Sequence, residues 1–405
     1  MTAARIEAAL AALPPPLALA DVEGAWRTAW EERAKAAEAR AFVHEAAGDG
    51  LSAGSAFRHA CTYYQAAGYF AEDLTSPAAL ATYQRSVDAM ARALEQDVPL
   101  ANVLGRCKQV QIPYAEAPPV PTLTDVFLHA YWCPSDKPDN SNTVIAGSGN
   151  DLSAEVILAN MGASAIARGF NVVVFDGPGQ GFTARNFGLP FRPDWEVVMS
   201  AVVDFVLELP ELVPSTRLVA WGHGFGGLLA ARAFARETRI SALMLDEPIY
   251  DTYREGLCRT TAGKPSLLAD YLADTVASTA SFNGNLSAAM TAIDLSFSAE
   301  MAAASLSLGV DRARPSDLYD QLLAYTLQDE LGGVGSRPVF IGQPALALNG
   351  QSELLFAALP TPRSNYTVLH IGEVGLFGCV LRWLMCSILY FNRVTKKLCN
   401  LRPCG

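Results

Sequence analysis

Clustered positive charge is what this sequence most plainly lacks. Its 30 Lys and Arg residues stand against 41 Asp and Glu, a net charge of −11, and basic residues gather only from Arg393 to Lys397. A nucleic acid or an anionic membrane surface needs a basic stripe to neutralise its phosphates, so neither is an expected partner. Metal-type spacing is missing too. The cysteines at 61, 107, 133, 258, 379, 386, 399 and 404 contain no CxxC pair, and the chain is too long for a disulfide scaffold. Reduced thiols, a cytoplasmic location and no metal or other cofactor are the expectations. The opening residues carry Arg5, Glu7 and Pro14-Pro15-Pro16 where a secretory signal would place a basic segment and an apolar block. The nearest approach to a membrane segment, the 17 residues from Gly375 to Phe391, is interrupted by Arg382. A crossing helix needs about 20 apolar residues, so a buried last helix is expected there.

What is present is apolar material in two different patterns. Hydrophobic residues make up 51% of the 405, enough for a large core in one α/β domain plus an accessory region. Residues 1–105 read as helices: 34–47 and 80–94 are rich in helix formers, and Ser76-Pro77 supplies a stop and a restart. Phe57, Tyr63, Tyr64 and Phe70 fall partly at helical spacing; such a stripe is ordinarily core. The competing reading makes it the wall of a substrate cavity, with His59, Tyr63 and Tyr64 as polar tips. From 106 to 405 the pattern changes. Lys108 to Pro113 and Asp125 to Cys133 alternate like antiparallel strands. Thr143 to Ala146 and Asn171 to Phe175 are unbroken apolar runs of the kind buried on both faces of a parallel sheet. A crossover helix is expected over 153–168, further strands at 242–246, 345–349 and 366–370, and a helical insertion over about 250–335.

The Gly-rich stretch Asp176-Gly177-Pro178-Gly179-Gln180-Gly181 has G-x-G-x-G spacing with an interior proline, and no Lys-Ser/Thr follows. It reads as a tight turn, not a phosphate loop. A second Gly-rich stretch, Trp221-Gly222-His223-Gly224-Phe225-Gly226-Gly227, sits between a β-branched run and an Ala/Leu-rich helix. Strand, sharp glycine turn, helix is the frame of the nucleophile elbow, Gly-x-Ser-x-Gly. Its middle position here is Gly224, which has no side chain to attack with.

Together with Gly149-Asn150-Asp151 and Glu155, Phe191-Arg192-Pro193-Asp194-Trp195-Glu196, Ala230-Ala231-Arg232 and Arg239-Ile240-Ser241-Ala242, these motifs resemble the FrsA-like branch of the α/β-hydrolases. That branch includes fungal polyketide-pathway hydrolases of the fusarin and cytochalasin type and the C–C hydrolase of nicotine breakdown. The resemblance runs from about Phe57 to about Gly372. It implies a mostly parallel sheet flanked by helices, the α/β-hydrolase fold, with the N-terminal helices capping the active site. It also implies a triad, which carries over incompletely. The nucleophile position is Gly224, the acid position is Glu353 in Gly350-Gln351-Ser352-Glu353, and the histidine position is Gly378. Two of the three catalytic side chains are missing.

The oxyanion hole is made of backbone N–H groups, here those of Phe225 and Asn150, and does not depend on the lost side chains. His223, just before Gly224, has a minor claim to a catalytic role because a side chain there usually turns aside. His370, Asp176 and Asp246 read as ordinary strand-end residues that fix loops. The expected function is therefore that of an enzyme of hydrolase descent acting on an apolar, polyketide-like carbonyl compound in secondary metabolism. It would work either by hydrolysis or by cyclisation or condensation through oxyanion stabilisation. The alternatives are an inactive relative that binds a small ligand or partner in the old pocket, and a defective one. A homodimer is left open.

Overall fold

The computed structural model describes residues 19–371. Outside it lie 72, 97–103, 116–124, 137–141, 151, 213–215, 254–264, 293–304, 312–313, 345–349 and 361–365, and residues 366–371 are described in backbone only. Three helices come first: α1 (Leu19–Ala46), α2 (Gly50–Ala67) and α3 (Pro77–Glu95). Their starts follow from capping chemistry. Asp49 accepts the N–H of Ser52, and Ser76 accepts that of Ala79 with Pro77 in the first turn, where a missing N–H costs nothing.

Eight described strands then form one sheet in the order β1-β2-β4-β3-β5-β6-β7-β8. They are β1 (Lys108–Pro113), β2 (Phe127–Cys133), β3 (Thr143–Gly147), β4 (Asn171–Asp176), β5 (Leu218–His223), β6 (Ile240–Asp246), β7 (Val339–Pro344) and β8 (Tyr366–Ile371). β2 runs antiparallel to both β1 and β4, and the pairs from β4 through β8 are parallel. Parallel neighbours require crossovers. Helix α4 (154–167, with a π turn over Leu158–Gly162) joins β3 to β4. Helices α5 (Gly181–Phe187) and α6 (Trp195–Leu207) join β4 to β5, and α7 (Gly224–Arg236) joins β5 to β6. Helices α8 (Pro265–Ala273), α9 (Val276–Ala292) and α10 (Pro315–Leu322) are among the elements between β6 and β7, and α11 (Gln351–Ala358) lies between β7 and β8. The expected α/β-hydrolase architecture stands.

Side chains on a strand alternate between faces, and here the two faces belong to different cores. Leu128, Ala130, Trp132, Ile145, Val173, Phe175, Leu218 and Ala220 pack with α6 and α7. Tyr131, Cys133, Val144, Ala146, Val172, Val174 and Trp221 pack with α4 and with the N-terminal helices through Trp26, Trp30, Phe57, Tyr63 and Tyr64. Helices α1 to α3 thus close one face of the sheet.

Strand β7 at Val339–Pro344 was not among the expected strands, while the strand expected at 345–349 falls outside the described residues. Val339-Phe340-Ile341 supplies the β-branched and aromatic run of β7. One expectation is corrected: the cysteines are not all reduced thiols. Cys107 and Cys133 form a disulfide, and Cys61 is a free buried thiol. The antiparallel pairing of Lys108 with Trp132 brings their neighbours Cys107 and Cys133 opposite each other. Sequence separation alone gave no sign of this.

Candidate active site

At the elbow, β5 ends at His223 and α7 begins at Gly224, whose φ is +54°. The middle position of this sharp turn is a glycine in the left-handed region. Its flanking glycines are required by close approach. A Cβ on Gly222 would lie 2.3 Å from the Gly226 carbonyl oxygen, and one on Gly226 would lie 2.7 Å from the Ser148 oxygen. At Gly224 itself a Cβ would meet nothing within 4 Å. The contact at Gly226 sets the segment from Ser148, including Gly149, against the first turn of α7. The N–H of Phe225 and the loop carrying Asn150 are therefore on adjoining segments, and an unfinished helix N-terminus favours negative charge there. The Phe225 ring is half-buried, packed edge-on against Phe191 and Tyr325.

The other positions read from the sequence fall around this turn. His223 Nδ1 lies 3.1 Å from Asp246 Oδ2, because the two residues are register partners at the ends of β5 and β6. Its ring is thus turned along the sheet edge toward Asp246. Glu353 stands in the first turn of α11 and accepts from the Gln343 amide. Gln351, two residues earlier, accepts the N–H groups of Tyr250 and Asp251, while Ile249 N–H donates to the Gly224 carbonyl. The segment 249–251 therefore ties the elbow to the corner that bears Glu353. Gly378 lies outside the described residues, and His370 pairs with Gln343 along β8 in backbone only. His59 is exposed on α2 and stacks on Tyr63. Tyr63 packs on Trp30, and the Tyr64 hydroxyl donates to Glu38 with Arg85 over its ring. These contacts place both tyrosines within the helical packing.

A cluster that sequence reasoning did not assemble lies beneath this site. Glu155 and Asp176 are fully buried, and His129 is nearly so. His129 Nε2 is 2.7 Å from Glu155 Oε1, to which the Tyr131 hydroxyl also donates at 2.9 Å. The Tyr83 hydroxyl lies 3.4 Å from both Glu155 and Asp176, with the Arg185 guanidinium 4.4 Å from its ring centre. Burial alone would push the Glu155 carboxyl up, but the hydrogen bond and charge of His129 outweigh it and hold it low. Burial would likewise lower His129, and Glu155 instead raises it. Asp176, pushed up first by burial and then by the Glu155 charge, reaches about 7. Burial, then the carboxylates, raise the Tyr83 and Tyr131 hydroxyls well above their usual range, and burial and Glu155 do the same for the Cys61 thiol. Glu155 was visible as a motif residue. The signal for its partners was His129 and Tyr131 two apart on one strand face, opposite a glutamate set among apolar residues in Ala154-Glu155-Val156-Ile157.

The Asp176–Gly181 turn performs the structural role expected of it. Asp176 accepts the N–H groups of Ala154 and Phe182. A Cβ on Gly181 would fall 2.0 Å from an Asp176 carboxylate oxygen. Gln180 accepts from Gly177 N–H and donates to the Ser148 carbonyl. Among the described residues, no group of three or more His, Cys, Asp or Glu side chains is placed to hold a metal ion, and no helix is long and apolar enough to cross a membrane.

No family model matches the chain. It is 33% identical over 313 residues to the hydrolyase poxO of Penicillium oxalicum, covering 75% of this chain and 69% of that protein. It is 28% identical over 323 residues to the hydrolyase ccsE of Aspergillus clavatus, with the same coverages. Similarity extends to the 20-hydroxy-prefusarin hydrolase FUS2 of Gibberella moniliformis, 32% over 229 residues, covering 55% of this chain and 52% of the relative. Among solved structures, 2,6-dihydroxy-pseudo-oxynicotine hydrolase superposes with a TM-score of 0.65 at 18% identity, over 100% of this chain and 95% of the other.

Proposed function

The chain belongs to the α/β-hydrolase family, and we propose that it acts on an apolar, polyketide-like carbonyl compound in secondary metabolism without forming an acyl-enzyme. The observation that carries this reading is Gly224. It keeps the elbow's positive φ and the helix start behind it, but offers no nucleophile. The N–H groups of Phe225 and Asn150 supply the chemistry that remains, donation to an enolate or alkoxide oxygen as negative charge develops on it. In serine hydrolases stripped of the triad, such a hole together with binding still gives about a thousandfold over water. That suffices for cyclisation, condensation or retro-Claisen cleavage of a reactive substrate and falls far short of ordinary ester turnover. The names of its relatives, hydrolase and hydrolyase, support an enzyme of hydrolase descent.

A second reading, ligand binding without turnover, is favoured by the engagement of His223 with Asp246 and of Glu353 with Gln343. Neither is aimed at the Gly224 position as a free base.

Fluorophosphonate labelling, 4-nitrophenyl ester hydrolysis and 4-nitrophenol titration together test the proposal. The natural chain should neither label nor turn over esters, and should bind the phenol with its ionisation shifted toward phenolate, as an oxyanion hole requires. Labelling at one site per chain would overturn the non-covalent mechanism. A bound phenol that resists ionisation would overturn the oxyanion hole. Product formation from a β-dicarbonyl or tetramate-type substrate separates the enzyme from the binding protein.

A further inference from the structure

The loop from Ser148 to Ala154 carries the Asn150 N–H, and side chains from three parts of the fold grip it. At its start, Gln180 from the β4–α5 turn donates to the Ser148 carbonyl. At its end, Asp176 on β4 accepts the Ala154 N–H at 2.9 Å. The amide of Gln65, on α2, donates to the Ser153 hydroxyl at 3.0 Å and to Ser86 of α3 at 2.8 Å. Ser153 is itself buried, and the Tyr83 hydroxyl of α3 lies 3.4 Å from Asp176, the acceptor at the end of the loop. The Gln65 grip comes directly from the N-terminal helices, and Tyr83 reaches the loop from there through Asp176.

We propose that Gln65 and Tyr83 are positioning residues, through which the N-terminal helices set the oxyanion loop against the elbow. Asp176 completes the clamp from below the sheet edge. The functional consequence rests on the oxyanion reading above; the clamp itself does not. A loop held at only one end would let the Asn150 N–H wander from the position shared with Phe225, and such donors act only when pre-placed. Changes in the helices should therefore register at the loop.

The groups facing Asp176 are Tyr83 from α3, Glu155 from α4, His129 from β2 and Arg185 from α5, with the Ala154 and Phe182 N–H groups bonded directly. An ionised Asp176 is the stronger acceptor for those N–H groups. Loop order should thus rise with pH as Asp176 loses its proton.

Hydrogen–deuterium exchange of the full chain reads this without a substrate, with the thermal midpoint as the control for global loss of stability. In Gln65→Ala, peptides covering 147–155 should exchange about fivefold faster, the ratio that loss of a buried neutral hydrogen bond produces. Peptides from β5 and β6 should be unchanged. Tyr83→Phe should act in the same direction with its ring packing kept. After correction for intrinsic exchange, protection of 147–155 should rise between pH 6 and 8 in the natural chain and be flat in Asp176→Asn. The same Gln65→Ala chain should bind 4-nitrophenolate more weakly. Unchanged loop exchange in both helix variants overturns the clamp, whatever the phenol result. A faster loop with no phenolate binding even by the natural chain supports the clamp and removes the oxyanion reading instead.

Discussion

Replacing His129 with leucine should be among the most damaging single changes in the protein. The Glu155 carboxylate beside it is fully buried, with its charge balanced by an imidazolium 2.7 Å away. Removing one partner of a buried ion pair costs about 3–5 kcal/mol because the other is left uncompensated. Glu155→Gln should cost less, about 1–3 kcal/mol. Glutamine still accepts from Tyr131, and a stranded histidine can shed its proton near neutral pH, whereas a stranded carboxylate must gain one. The double substitution should fall short of the sum by about 2 kcal/mol, as interacting neighbours do. The pH dependence has a defined shape. Folding raises His129 above its ordinary 6.5, so its contribution is full below 6.5 and lost as pH rises through the raised value. Folding lowers Glu155 from 4.5, so its contribution is full above 4.5 and lost as pH falls through the lowered value. The pair therefore stabilises most between those two ordinary values. Urea unfolding followed by tryptophan fluorescence at several pH values measures all of this. A His129→Leu chain within about 1 kcal/mol of the natural one, with no coupling to Glu155→Gln, would refute the ion pair.

Gly224→Ser should fold, losing about 1–2 kcal/mol for an L residue at positive φ and nothing to collision, and calorimetry would show this as a small shift in midpoint. Gly222→Ala, whose Cβ would meet the Gly226 carbonyl at 2.3 Å, should lose far more and express poorly; equal stability of the two variants would contradict the elbow geometry. Asp176→Asn should gain on the natural chain as pH rises from about 4 toward about 7. In the folded state Asp176 keeps its proton over that range while the unfolded chain gives it up. Comparative urea titrations would check the sign. Reducing the Cys107–Cys133 bond, whose sequence separation is 26, should cost about 3.5 kcal/mol by loop entropy, visible as a lower urea midpoint with dithiothreitol.

Much of the fold was legible because its signals are local. Unbroken apolar runs marked β3 and β4, and the Gly222–Gly227 pattern marked the elbow. The strand β7 at 339–344 shows the limit, since its short run was passed over in the sequence and its place comes from pairing with β6. Of the candidate site, the sequence marked the sharp turn at Gly224, which the structure places between β5 and the helix that follows. The charged cluster was not legible, because His129, Glu155, Asp176 and Tyr83 come from four elements that only the tertiary fold brings together. The same holds for the disulfide, which depends on the register of β1 on β2.

The two-faced burial of β2 also bears on how the chain finds its native pairing. A slip of one residue against β4 would turn His129 and Tyr131 into the oily side now filled by Leu128, Ala130 and Trp132, and push those three against Glu155. Strands buried on both sides usually tolerate such errors cheaply, since either face is apolar. Here the misaligned sheet would bury an unneutralised carboxylate. The polar cluster thus acts as a proofreader of assembly, rejecting the nearest wrong alignment before the helices close over it.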